Sequence, residues 1–400
     1  MTIVSKKMQR IPSSPTAAMS DRARALKEKG QDVIRLSSGE SDFDVEEFVE
    51  QAAIDAIKAH KTRPSAVAGS PDVRKAVQLK FKRDNGLDYD LDEIIVSNGG
   101  KQILYSALFA TVDPGDEVII PAPYWVSYPH MVTLADGEPV FVACDHNANF
   151  KLRPEQLEEA ITPKTKWMIL NTPSNPSGAV YTKAELEGIA EVLRRHPHVW
   201  VMCDDIYEHL IYDGAEHHCL AAVAPDLKDR IVTMNGMSKG FAMSGWRVGF
   251  AGAPKELVKA MVRLHSHSAM SMNVVSQEAT AAGLNGDQSF LKRNAEDFRK
   301  RRDIVVAALD RCPGIHCHKP DGAFYVYPNI AGCIGKTAPS GKPIETDEDF
   351  VRELLDTEGV AVVHGGAFGL SPYFRVSYAS ALPELEEACR RIERFCTALK

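Results

Sequence analysis

Between residues 93 and 252 the chain carries seven short apolar runs, at 94–97, 117–120, 139–143, 167–171, 199–203, 231–234 and 247–251. They are rich in β-branched residues, and long polar or helical stretches separate most of them. A half-exposed strand alternates apolar and polar residues; these runs do not. Strands covered on both faces by crossover helices read this way, so the expectation is a mostly parallel sheet within an α/β fold.

Outside that layer the pattern is mixed. The spacing predicts helices over 21–29, 46–60 and 71–85, with Gly30 and Gly86 as stops, and a short strand at 33–36. A long helical region follows at 255–311, and its basic run Arg299-Lys300-Arg301-Arg302 reads as a solvated helix face. Residues 313–400 read as α+β, with strands at 323–327, 360–363 and 374–377, helices at 348–358 and 383–399, and a surface loop at 332–345. The expected architecture is therefore a large domain over 46–290, built on a seven-stranded mostly parallel sheet flanked by helices. A smaller α+β domain takes both termini, 1–45 and 291–400.

Composition excludes several classes. The 54 acidic and 47 basic residues give a net charge of −7, which opposes nucleic-acid binding because phosphate neutralisation needs a basic excess. No stretch of 18 or more apolar residues exists to span a bilayer, and Met1–Lys7 has no apolar leader core, so the expected address is the cytoplasm. The eight cysteines show no repeated spacing. Cys312, His316, Cys317 and His318 lack the second ligand pair of a zinc site, and His217-His218-Cys219 reads as an exposed loop after Asp213-Gly214. No metal is expected.

Four segments carry chemistry. In Ser97-Asn98-Gly99-Gly100-Lys101 a strand runs through two glycines into a helix start, a local arrangement that can cup an anion on free backbone N–H groups; a plain tight turn reads the same way. Asn171-Thr172-Pro173-Ser174-Asn175-Pro176 holds asparagines in a stiff loop at a strand's C-terminal end, where open α/β sheets bind ligands. Asp204 ends an apolar strand, where a carboxylate needs a cation or donor, while Asp205 reads as a helix-start or surface acid. Lys239, bracketed by glycines and apolar residues, can act as a desolvated amine nucleophile. Eight residues on, Arg247 offers a guanidinium suited to phosphate.

In this order and spacing, Ser238-Lys239-x-x-Ala242-Met243-x-Gly245-Trp246-Arg247-x-Gly249, Asn175-Pro176-Ser177-Gly178 and Asp204-x-x-Tyr207 resemble the class I aminotransferases of the aspartate aminotransferase family. The likeness runs from Leu36-Ser37-Ser38-Gly39-Glu40 to Phe374-Arg375-Val376-Ser377-Tyr378 and is strongest to bacterial members using aspartate, aromatic acids or prephenate. It implies pyridoxal 5'-phosphate as cofactor, a ping-pong exchange between an amino acid and a 2-oxo acid such as 2-oxoglutarate, and a homodimer. It further implies that Lys239 forms the Schiff base and moves the proton at Cα. Asp204 would hold the pyridine nitrogen protonated, while Tyr207 and Asn175 bond the ring oxygen. Trp125 would stack on the ring. Gly99, Gly100, Lys101 and Arg247 would take the phosphate, with Ser238 as a further contact. Arg375 would grip the substrate α-carboxylate, with the backbone of Gly39, and Trp125 and Asn175 would border the substrate.

The chain departs from the family at three places. Pro64 stands where relatives carry a tyrosine that reaches the neighbouring subunit's phosphate, with Arg63 beside it. Ser41 replaces a proline, and Pro12 replaces a lysine of prephenate-using relatives; Lys101, Ser14 and Thr16 could still receive a side-chain carboxylate. Another pyridoxal-phosphate reaction on the same scaffold, such as a β-lyase, stays open, since fold alone does not decide it. A cofactor-sensing regulator would need an added DNA-binding module, for which the 38 residues before Gly39 leave no room.

Overall fold

The computed structural model describes residues 3–400. Its centre is a seven-stranded sheet, here numbered β1 (Ile94–Asn98), β2 (Glu117–Ala122), β3 (Glu138–Ala143), β4 (Thr165–Asn171), β5 (Trp200–Asp204), β6 (Ile231–Gly236) and β7 (Val248–Gly252). The spatial order is β1-β7-β6-β5-β4-β2-β3. Only β7 runs against its neighbours; the remaining pairs are parallel. Every residue of β6 and β7 is buried. Side chains alternate between two cores: Val201 and Cys203 of β5 pack on one face, and Met202 packs on the other with Ile169 and Val232. That two-sided burial explains the uninterrupted apolar runs.

Flanking helices begin and end where their sequences direct. Pro71–Asn85 starts on Ser70, whose hydroxyl accepts from Val73 N, and stops at Gly86 in the left-handed conformation (φ 67°). Thr182 and Glu185 form a reciprocal capping box on Lys183–Arg195. A third core gathers Phe298, Val305, Phe350, Phe374, Val376 and Ile392 around the strands Tyr325–Val326, Val363–His364 and Phe374–Ser377. The N-terminal strand Ile34–Arg35 pairs in parallel with Val360–Ala361, tying the two ends of the chain together. Among the described residues, no helix is long and apolar enough to cross a membrane.

Several expectations are corrected. The first long helix begins at Pro15, six residues before the expected start: Ser14 caps it, and Pro15 sits at the one helical position that tolerates proline. A shorter helix, Lys6–Gln9, precedes it. The region 255–311 is three helices, Lys255–Ser266, Val274–Asn285 and Ser289–Leu309. Its basic run is not one solvated face. Consecutive helical residues diverge by about 100°, so Arg301 and Arg302 turn inward: Arg301 bonds Asp42 and the Ser380 carbonyl, and Arg302 bonds Asp213 and the Pro320 carbonyl. The loop at 332–345 buries Cys333, Ala338 and Ile344. His217 and Cys219 are not in an exposed loop, because Cys219 opens the short helix Leu220–Val223, whose buried Leu220 and Ala221 pull the segment inward. Asp205 is no surface acid; it is 1% exposed, in a turn after β5.

Candidate active site

A cavity of about 410 Å³ opens at the C-terminal ends of the parallel strands, the edge at which α/β sheets place ligands. Eleven of the twelve residues given cofactor, phosphate or α-carboxylate roles above line it: Gly39, Gly100, Lys101, Trp125, Asn175, Asp204, Tyr207, Ser238, Lys239, Arg247 and Arg375. Gly99 does not line it, but lies directly behind Arg247. Ser14 and Thr16 also border the cavity. Arg63 and Pro64 are exposed and lie outside it.

Lys239 follows β6, and its Nζ donates a 2.7 Å hydrogen bond to the carbonyl of Gly39. Burial, and then the positive charge of Arg375, push its amine down to about 8 from the ordinary 10.5. A neutral fraction of roughly a tenth at pH 7, far above that of an ordinary lysine, suits a nucleophile and a base. An added Cβ on Gly39 would stand 2.5 Å from Tyr325 Oη, so a side chain there would collide with the wall that holds the lysine.

Asp204 is the last residue of β5. Its Oδ2 accepts from Tyr128 Oη at 2.6 Å and its Oδ1 from the Ile206 amide at 3.3 Å. Burial pushes this carboxyl up to about 6, and the Tyr128 hydrogen bond acts against that rise. Tyr207 shares a 2.9 Å hydrogen bond with Tyr325, and burial drives its phenol well above the ordinary range.

Arg375 lies in the strand Phe374–Ser377, almost fully buried between the rings of Tyr325 (4.6 Å) and Phe368 (5.0 Å). One terminal nitrogen donates to Asn175 Oδ1 at 3.0 Å and the other to the Ser37 carbonyl at 2.6 Å, while Nε is buried without a partner. A guanidinium so held offers a donor to an anion entering the cavity.

At the opposite end, Gly99 takes φ +89° as the helix Gly100–Thr111 begins, and a Cβ there would stand 2.5 Å from the Arg247 guanidinium. Arg247 is itself in the left-handed region (φ 56°), where non-glycine residues are strained by about 1–2 kcal/mol. The ammonium of Lys101 sits 4.9 Å from the centroid of Trp125, and burial lowers its proton affinity. Two cations and a helix N-terminus therefore converge at this end.

Sequence reasoning assigned no role to two residues of this site. Tyr128 opens the helix Tyr128–Leu134, three positions after Trp125, and its ring meets the Trp125 ring edge-on at 5.4 Å. Tyr325 comes from a distant short strand, and no local signal marks it.

Residues 31–392 match the family model "Aminotransferase class I and II". An aspartate/prephenate aminotransferase of Cereibacter sphaeroides (strain ATCC 17029 / ATH 2.4.9) is 52% identical over 399 residues, covering all of both chains. The crystal structure of an aspartate aminotransferase from Rhizobium meliloti superposes with a TM-score of 0.97 at 49% identity, over 100% of both chains. That of the Thermus thermophilus aspartate aminotransferase with maleate gives 0.92 at 38% identity, covering 99% of this chain and 100% of that one. With a family match spanning nearly the whole chain and a cavity formed by the residues that carry its motifs, the protein belongs to the class I aminotransferases, in the aspartate aminotransferase family.

Proposed function

We propose that this aminotransferase binds pyridoxal 5'-phosphate in the cavity and moves the amino group of L-aspartate, or of an aromatic amino acid, to 2-oxoglutarate by a ping-pong cycle. The carrying observation is the placement of Lys239: a pKa near 8 on a cavity wall that also presents Asp204 and Arg375. The residues present fit the cofactor. Lys239 offers an amine and Asp204 a buried carboxylate on the cavity wall, and Lys101 with Arg247 supplies positive charge at a helix start where Gly99 lets the guanidinium come close.

When bound, pyridoxal phosphate supplies a carbonyl that condenses with amines and a ring that accepts the electron pair left at Cα. The protein does the rest. Lys239 takes and returns the Cα proton. Asp204, steadied by Tyr128, holds a proton at the ring nitrogen. Tyr207 and the amide of Asn175 donate to the ring oxygen. Trp125 covers the ring face, and Gly99, Gly100, Lys101, Ser238 and Arg247 receive the phosphate. Arg375 orients the substrate α-carboxylate beside Gly39. A second carboxylate meets Lys101, Ser14 and Thr16, whose Oγ1 is buried without a partner. That the Thermus relative was solved with maleate, a dicarboxylate, supports this placement.

The same reading makes the protein a cytoplasmic homodimer. The two-domain division at 46–290 draws support from the separate hydrophobic cores of the large sheet and of the small strands. The test is a half-reaction. L-aspartate alone should yield one equivalent of oxaloacetate per site, and 2-oxoglutarate should then restore the starting spectrum. Release of pyruvate and ammonia from an amino acid with a leaving group at Cβ, such as a cysteine thioether, without need of an oxo acid, would replace this reading with a β-lyase.

A further inference from the structure

One residue past Asp204 the chain carries a second carboxylate that does not line the cavity. Asp205 is 1% exposed, and two soft or borderline ligands stand against it. Cys219 Sγ lies 3.1 Å from Asp205 Oδ2, His217 Nε2 lies 3.6 Å from the same oxygen, and Sγ and Nε2 are 3.5 Å apart. A tetrahedral zinc with sulfur at about 2.3 Å and nitrogen and oxygen at about 2.0–2.2 Å needs donor atoms roughly 3.3–3.6 Å from one another. The three atoms already stand within a few tenths of an ångström of that triangle.

A second observation also points to a cation. Asp205 Oδ1 is buried and makes no hydrogen bond. Among the described residues the only ion-pair partner of this carboxylate is His217. The nearby ammonium of Lys80 is taken by Glu208, with Asp84 3.9 Å away and a hydrogen bond to Asn85. A buried carboxylate whose charge is met only by an imidazole, and whose Oδ1 has no donor, is costly, and a cation shared by Oδ2, the thiol and the imidazole would neutralise it.

We propose that Asp205, His217 and Cys219 form a structural site for one thiophilic divalent cation, zinc by its ligand chemistry, which clamps the segment before the helix Leu220–Val223 to the end of β5. Binding releases the thiol proton of Cys219 to solvent. The thiolate and carboxylate then cancel the 2+ charge while His217 binds neutral through Nε2. Glu208, whose Oε2 is 4.0 Å from His217 Nε2 and accepts from Asn85 Nδ2, would have to give up that bond and move closer to take the fourth position. The proposal does not rest on the cofactor reading.

The test uses untagged holoenzyme. Elemental analysis after gel filtration should find one zinc per chain in the wild type and background levels in Cys219→Ser and His217→Asn, while His209→Gln stays at one. Competition with a chromophoric chelator should show zinc affinity at least about 100-fold weaker in the first two variants. Cobalt in place of zinc should give a thiolate charge-transfer band in the wild type that Cys219→Ser lacks. Should either variant fail to fold, the wild type decides alone, through that band and through a melting temperature lowered by chelator and restored by zinc. Wild-type protein that takes up no stoichiometric zinc or cobalt, as expected of a merely protonated His217–Asp205 pair, overturns the proposal, as does equal zinc affinity in wild type and Cys219→Ser.

Discussion

Tyr128 Oη donates a 2.6 Å hydrogen bond to Oδ2 of Asp204, with both side chains almost wholly buried. Burial alone makes an aspartate harder to ionise, and this one is raised to about 6. The phenol is thus the chain's own means of keeping the carboxylate charged where the proposed cofactor needs a counter-ion.

Tyr128→Phe removes that donor and leaves the ring packing in place. A hydrogen bond to a charged group is worth about 1.5–3 kcal/mol, so kcat/KM should fall by roughly ten- to a hundredfold, with weaker pyridoxal phosphate binding. Steady-state kinetics with a cofactor titration check this, and unchanged values would mean that other groups hold Asp204 ionised.

Burial and the charge of Arg375 hold the Lys239 amine down to about 8, against an ordinary 10.5. Only the neutral amine attacks a carbonyl, so capture of pyridoxal phosphate by the cofactor-stripped protein should speed up as pH rises, with its midpoint near 8. Removing the cation in Arg375→Met should move that midpoint upward, because a positive neighbour disfavours the ammonium. Stopped-flow absorbance across pH reads both, and Lys239→Ala should show no capture and almost no turnover.

Arg375 holds a planar fork between Ser37 and Asn175, which a lysine cannot reproduce. Arg375→Lys should therefore raise KM for both amino and oxo acid by about tenfold or more while the resting cofactor spectrum stays unchanged. A loss confined to kcat would assign the arginine another task.

The proposed dimer gives the exposed pair Arg63 and Pro64 a purpose. If this loop reaches the partner's phosphate, Arg63→Ala should weaken cofactor binding by about tenfold, and Pro64→Tyr in that background should recover much of it. Cofactor dissociation constants, measured on material whose mass is fixed by sedimentation, test this; unchanged binding would remove the loop from the site.

Much of the site was legible because its residues sit where a buried strand ends. Asp204 closes β5, Lys239 follows β6, and Gly99 and Gly100 follow β1, so each stands out as a polar or glycine break after an apolar run. Parallel strands covered on both faces produce such runs from local composition alone, and helix 71–85 announced both of its ends through Ser70, Pro71 and Gly86.

What the sequence by itself determined was the α/β layer, the order of its strands along the chain and the segments that carry chemistry, since these depend on neighbours a few residues apart. Only the tertiary structure decided who meets whom. Lys239 finds the Gly39 carbonyl 200 residues away, Arg375 finds Asn175 at the same separation, and Tyr207 meets Tyr325 across 118. The inward turn of Arg301 and Arg302 and the burial of Asp205 and Cys219 belong to this class too. A charged or polar side chain reads locally as solvated, and it becomes a core residue only when a distant segment supplies its partner.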